Sequence, residues 1–165
     1  MLALDDARTK FIYIGGDGPP SSGYRKTVLY DAASNSWRET ANLNVGRRFI
    51  AKMCFRHKLL DGGDVVIVIG GLIGPVEFLN STEVYDVKAE TWTLGPALPH
   101  PMEGSLVAKV DGGIFALGGR GMKDGRASNL GTVLEMDPWT LEWRVRPDLE
   151  LSRLSARVDG ILYNE

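Results

Sequence analysis

Cys54 is the only thiol in 165 residues, which excludes an internal disulfide framework and fits a reducing, cytoplasmic compartment. Histidine is nearly as scarce. His57 and His100 are the two present, too few for a metal centre built from several imidazoles. Long apolar runs are missing as well: the longest, Val65 to Ile69, is far short of the roughly 20 residues that span a bilayer. The opening segment, Met1 to Lys10, carries Asp5 and Asp6 without an unbroken apolar stretch, so it reads as neither a signal peptide nor a membrane span. No charge of one sign dominates. A net charge of −2 gives no bulk attraction to nucleic acid or to a membrane surface. Asn80-Ser81-Thr82 satisfies the glycosylation pattern, but it has no export signal beside it and is taken as a chance match.

What the chain does have is punctuation. An apolar run closes on a glycine pair three times, at Gly15-Gly16, Gly70-Gly71 and Gly118-Gly119. Tyr30 with Trp37, Tyr85 with Trp92, and Met136 with Trp143 follow, each pair seven positions apart. Ten positions beyond each tryptophan stand Arg47, Met102 and Arg153. Marks that recur in fixed register at intervals of roughly fifty residues define a tandem structural repeat.

The runs before the glycines, Phe11 to Ile14, Val65 to Ile69 and Ile114 to Leu117, are short, rich in β-branched or aromatic residues, and apolar at consecutive positions. That composition predicts strands covered on both faces. A second strand ends each time in an Asp (Asp31, Asp86, Asp137) whose carboxylate suits a turn, and the hairpin returns through the tryptophan. A further strand, Arg48 to Phe55, Ser105 to Val110 or Leu154 to Val158, leads to an Asp-Gly turn at Asp61-Gly62, Asp111-Gly112 or Asp159-Gly160, a strong hairpin signal. The connection from Phe55 to Asp64 is longer and carries Arg56, His57 and Lys58. No segment shows a sustained helical period with caps.

Each period therefore predicts four antiparallel strands, in units centred on 11–55, 65–110 and 114–158, with a partial unit at 159–165 that includes Ile161-Leu162-Tyr163. All-β sheets at this spacing indicate a propeller whose sheets pack face to face. The second glycine of each pair is expected where a Cβ would be blocked. Tyr30, Tyr85, Trp37, Trp92 and Trp143 are expected between adjacent sheets, each burial worth about 2–3 kcal/mol.

These residues resemble the kelch repeat: an apolar strand ending in Gly-Gly, a Tyr-Asp pair, then Trp. The resemblance runs from about Phe11 to Tyr163 and departs in the third unit, where Met136 replaces tyrosine and the loop after Gly119 is longer. It implies a single kelch-repeat domain over 1–165, an incomplete arc of about three four-stranded blades plus a partial one. Closed propellers typically use four to eight blades. Three blades do not readily close a ring, so the chain is expected to be part of a longer propeller, to self-associate, or to stand as an open arc.

The resemblance also implies a non-catalytic interaction module that binds a partner protein through loops on one face, with substrate recognition for a ubiquitin ligase adaptor as the finer reading. The alternative it implies is a fragment of a kelch-like enzyme of the sugar-acid isomerase or copper oxidase type. In a four-stranded meander, the loops after Gly-Gly and after the tryptophan strand lie at the same end, where variable functional residues collect. Tyr24, Arg25, Arg48, Phe78, His100, Arg120, Lys123 and Arg126 are the candidate partner-binding residues there. Several arginines suit an acidic peptide, because guanidinium grips carboxylate with two prongs. Arg47 and Arg153 recur in register and so also read as structural.

Catalytic readings find little support in the residues. No activated-serine elbow surrounds any serine, and neither histidine has a diagnostic partner. Lys52 and Arg56 near Cys54 would lower a thiol pKa, but the commoner reading of Cys54 is a small strand residue. Gly119 to Gly125 follows a strand without the dinucleotide spacing or a helix after it, and no Gly-Lys-Ser/Thr occurs. No cofactor, metal, nucleic acid or membrane is expected.

Overall fold

The computed structural model describes residues 1–5, 7–16, 25–57 and 63–149. No α-helix occurs among them. The first sheet contains β1 (Leu2–Ala3), β2 (Lys10–Ile14), β3 (Thr27–Asp31) and β4 (Ser36–Glu39). Next come β5 (Ala51–Arg56) and β6 (Asp64–Ile69), a short hairpin β7 (Leu72–Ile73) and β8 (Glu77–Phe78), then β9 (Thr82–Asp86) and β10 (Thr91–Gly95). The second sheet has the order β5, β6, β9, β10. The remaining strands are β11 (Met102–Glu103), β12 (Leu106–Val110), β13 (Gly113–Leu117), β14 (Arg120–Lys123), β15 (Arg126–Asn129), β16 (Val133–Met136) and β17 (Trp143–Val145). β12, β13, β16 and β17 make the third sheet, and β11, β14 and β15 a separate ribbon. Every paired strand is antiparallel.

The sheets stack as successive blades, and β5 lies against both β1 and β12. The middle blade shows why its glycine-closed run is apolar throughout. Val65, Ile67 and Ile69 join Ile114, Ala116, Leu134, Met136 and Trp143 of the third blade in one buried cluster. Val66 and Val68, on the alternate face, join Ile12 and Ile14 of the first blade, with Tyr85 and Trp92. Strand periodicity of two thus divides one run between two seams.

Turn chemistry closes the other end of each blade as expected. Asp31 Oδ1 accepts from the backbone amides of Ala33 (2.9 Å) and Ser34 (3.1 Å). Asp86 Oδ1 accepts from Lys88 and Ala89, both at 2.8 Å, and Asp137 Oδ1 from Trp139 (2.8 Å) and Thr140 (3.1 Å). These backbone bonds hold the Asp31 and Asp137 carboxyls below the usual aspartate pKa. Asp111 and Gly112, both at positive φ, make the two-residue hairpin turn between β12 and β13.

Three findings refine the sequence expectations. Sheets and sequence periods are out of phase by one strand: the strand within 48–55 pairs with β6 as the first strand of the second blade, and β12 likewise opens the third. The cause is the short hairpin, which keeps its two strands adjacent, whereas the connection after tryptophan crosses to the next blade.

Among the described residues, the first and third blades are covered on one face only, since Phe11, Tyr13, Phe115 and Leu117 alternate with the buried positions without joining either cluster. Trp37 therefore does not fill a seam. It is 53% exposed and stacks on half-buried Tyr30 at 4.8 Å between ring centroids, because its face of the first blade has no sheet against it among the described residues. Third, the loops after Gly70-Gly71 and Gly118-Gly119 are short β-ribbons. Tyr24, Arg153, the strand 154–158, the Asp61-Gly62 and Asp159-Gly160 turns and the partial unit 159–165 lie outside the described residues.

Candidate functional site

At the upper end of the arc, where β6 finishes at Gly70-Gly71, the connection leaving one blade is laced to the loop of the next. Arg48 and Leu72 exchange backbone bonds at 2.9 and 3.1 Å, and Gly71 donates to the Met102 carbonyl at 2.9 Å. In the following seam, β11 pairs with β14 so that Glu103 stands opposite Arg120. The second glycines permit this approach. A Cβ on Gly71 (φ +105) would stand 2.7 Å from the Arg48 carbonyl oxygen, and one on Gly119 (φ +99) 2.5 Å from that of Glu103.

Arg47 is fully buried and belongs to the structure. Its Nη2 donates to Glu83 Oε1 at 2.9 Å and Ser81 Oγ at 3.0 Å, and its Nη1 to the carbonyls of Gly70 (3.0 Å) and Ser81 (2.8 Å). Glu83 in turn accepts from the backbone amides of Asn44 (2.7 Å) and Val45 (3.0 Å). Burial pushes the Arg47 pKa down, and the Glu83 carboxylate opposes that shift. A charge this deeply buried is tolerated because it is paired and its donors are satisfied.

The expected partner-binding residues divide into anchored and open groups. Arg25 is exposed, but its Nε donates to the Leu43 carbonyl at 2.7 Å. Arg48 is half-buried, donates through Nη2 to the Gly74 carbonyl at 2.7 Å and lies 5.1 Å from the centroid of the Phe49 ring. Phe78 is half-buried on β8. His100 is half-buried between two prolines; burial lowers its pKa, and its Nε2 has no hydrogen-bond partner among the described residues. Arg120 is 51% exposed and sits 3.3 Å from Glu103, a nearly buried carboxyl whose pKa is raised by burial and pulled back by Arg120 and Arg48. Lys123 and Arg126 are register partners in the pairing of β14 with β15, and Arg126 is exposed.

Phe49, Val76 and Met122 were not singled out as binding residues from the sequence, yet they stand at this end 55%, 69% and 52% exposed. A lone apolar residue in a loop carries no sequence signal of exposure. Phe49 alone had one: counted from the tryptophan, it occupies the place Gly104 holds in the next repeat.

The opposite end differs. A depression there of about 840 Å³ is lined by Leu4, Asp5, Arg8, Cys54, Arg56 and Lys109 among others. Among the described residues, no group of three or more His, Cys, Asp or Glu stands close enough to hold a metal ion, and no helix is long and apolar enough to cross a membrane.

Stacked four-stranded antiparallel blades with glycine-paired strand ends define a β-propeller. The profile of the Kelch motif family matches residues 62–99, which take in the middle blade from β6 to β10. The chain thus carries a kelch motif and is similar to kelch-repeat proteins. It is 31% identical to a Kelch repeat and BTB domain-containing protein, F47D12.7 of Caenorhabditis elegans, over 66% of this chain and 18% of that protein. It is 26% identical to Kelch-like protein 15 of Danio rerio over 93% of this chain and 24% of that one. The match to these curated relatives thus takes up a quarter of their length or less. Among solved structures, that of YjhT superposes with a TM-score of 0.65 at 17% identity, over 87% of this chain and 48% of that one. That likeness concerns the fold.

Proposed function

We propose that this chain is a non-catalytic protein-interaction module that takes a partner protein at the upper end of the arc. The observation that carries the reading is the contrast between the two ends. The lower end described here is closed by tight turns whose Asp carboxylates are spent on their own backbone. The upper end exposes Phe49, Val76 and Met122 among Arg48, Arg120 and Arg126 on loops and ribbons, whereas the exposed Val110 and Trp139 of the lower end sit beside or within its tight turns. Apolar side chains interspersed with arginine are the composition of binding surfaces, and loops on a rigid scaffold are where such residues are placed.

The finer reading has the partner segment partly acidic, held by Arg120 and Arg126, in a reducing, cytoplasmic setting consistent with a sequence that holds a single cysteine. Substrate recognition within a ubiquitin ligase adaptor is the specific role we favour, supported by kinship to a protein named for both kelch repeats and a BTB domain.

The test is affinity capture with two variants run beside the parent chain. Arg120→Ala with Arg126→Ala is expected to lose the specific partner, while Arg56→Ala with Lys109→Ala at the lower end keeps it. The reverse pattern, or turnover of a sugar acid by the purified chain, overturns the reading.

A further inference from the structure

Phe49 combines two properties that oppose each other. Its backbone is left-handed, φ 54°, a conformation in which a bulky L-residue is an outlier. Its ring is 55% exposed and belongs to neither buried cluster, so packing does not account for its presence. Leu141, the other apolar residue at positive φ among the described residues, does have such an account, because it packs against the core shared by the second and third blades. Arg8, Asn35, Glu90, Asp111 and Asp124 are polar residues, the kind ordinarily found in turns.

The repeat supplies an internal control. Gly104 stands at the register of Phe49, two positions beyond Met102 as Phe49 is beyond Arg47, and has φ 62°. Where the second seam uses glycine, the first carries an exposed aromatic. Strain held where nothing in the fold requires it points toward function. The ring is also presented in a fixed pose. The Phe49 carbonyl accepts from the Gly104 amide at 2.9 Å, and Arg48, pinned by the Gly74 carbonyl at 2.7 Å, lies over the ring. Next to Gly104 is Glu103, which faces half-exposed Arg120 at 3.3 Å.

Deepening the interaction reading above, on which it rests, we infer that Phe49 is the anchor of the upper face. The occupant is an extended protein segment that sets an apolar side chain on the Phe49 ring and a nearby carboxylate on Arg120. A pre-organised aromatic meets its partner with little side-chain entropy left to lose. Arg120 has guanidinium donors beyond the one turned to Glu103, and these suit a carboxylate.

The experiment pans random dodecapeptides displayed on phage against the whole chain, then measures the selected consensus peptide on variants. The consensus is expected to pair an apolar residue with Asp or Glu. Phe49→Gly is expected to weaken it at least about tenfold, as truncating an interface anchor does. The same variant copies Gly104, so its melting temperature is expected to stay level or rise by up to about 3 °C as the strain is relieved. Arg120→Gln is expected to weaken the peptide as well, and a consensus without an acidic residue overturns the carboxylate part. Full binding by Phe49→Gly, or a melting temperature several degrees lower, overturns the anchor while leaving the interaction module standing. No enrichment over a control protein overturns both.

Discussion

The two seams of this arc occupy the same place in the repeat and are filled by different chemistry. Between the first and second blades, the buried apolar cluster has eight residues, and polar contacts cross beside it. Arg47 pairs with Glu83, Thr40 bonds the Tyr85 hydroxyl at 2.7 Å, Trp92 Nε1 donates to Thr27 Oγ1 at 3.2 Å, and Arg38 forks onto Glu90. Between the second and third blades, the cluster has fourteen residues, and the registers of Arg47, Glu83 and Tyr85 hold Met102, Leu134 and Met136, all buried. Blade packing therefore requires filled volume and satisfied polar groups at these positions, and it admits either an ion pair or aliphatic side chains.

The largest effect expected from breaking this contrast comes at Glu83. Glu83→Ala leaves the Arg47 guanidinium buried without its carboxylate, at a cost of about 3–5 kcal/mol. Arg47→Met combined with Glu83→Leu installs the residues of the second seam in the first and is expected to recover most of that loss, because apolar replacement of a buried pair is often neutral or better. Urea unfolding of both variants beside the parent measures the difference. A double variant no more stable than Glu83→Ala would show that the seams are not interchangeable.

Much of this architecture was legible before any coordinates. The register of Gly-Gly, Tyr or Met, and Trp reports sheet type and blade spacing because each mark serves local geometry that repeats: a strand end, a cross-strand pair and a turn. The phase of the sheets was less accessible, although Asp111-Gly112 marks β12 and β13 as hairpin partners and so carries that information. Burial of Trp37 was not accessible. It depends on whether a sheet lies beyond the first blade, and nothing within Tyr30 to Trp37 records that. Glu83 gave no warning either, since a carboxylate on a strand reads as solvent-facing until its partner four elements away is placed. At the upper face, arginine composition drew in Arg25 and Arg48, each of which has a donor engaged by a backbone carbonyl. Phe49 required comparison of two repeats residue by residue.

Where the seams are alike, matched substitutions should cost the same. Gly71→Ala and Gly119→Ala each force a positive φ on alanine and drive a Cβ to 2.7 or 2.5 Å from a backbone oxygen of the neighbouring connection. Each is expected to cost about 2–3 kcal/mol. Gly16→Ala meets only the hydroxyl end of the Tyr13 side chain, which swings away, so its cost is nearer 1 kcal/mol from backbone strain. Thermal unfolding of the three variants orders them. Equal loss at all three would mean that the backbone conformation decides and the seam contact does not.

The tryptophans separate the seams more finely. Trp143 Nε1 is buried without a hydrogen-bond partner among the described residues, since the hydroxyl of Thr82, at the register of Thr27, donates to the Pro96 carbonyl at 2.8 Å instead. Trp92→Phe gives up a buried hydrogen bond, whereas Trp143→Phe removes an unsatisfied donor. The first is expected to be the more destabilising by about 1 kcal/mol. Identical losses in paired urea titrations would indicate that ring volume alone matters in both seams.

The smallest effect is a pH dependence belonging to the connection into the second seam. Burial holds the His100 pKa below its ordinary 6.5, so the folded chain takes the proton less readily than the unfolded chain. Stability from this source is complete above about pH 6.5 and is lost as pH falls through the depressed folded value. Glu103 works in the opposite direction: its carboxyl is raised by burial, and the stability it contributes is lost as pH rises through that raised value. Comparing His100→Gln with the parent at each pH isolates the histidine. The two curves are expected to run parallel above pH 6.5, and below it the parent is expected to fall relative to the variant, because only the parent has a buried imidazole to protonate. Parallel curves down to pH 5 would place the imidazole in solvent and remove this connection from the list of differences between the seams.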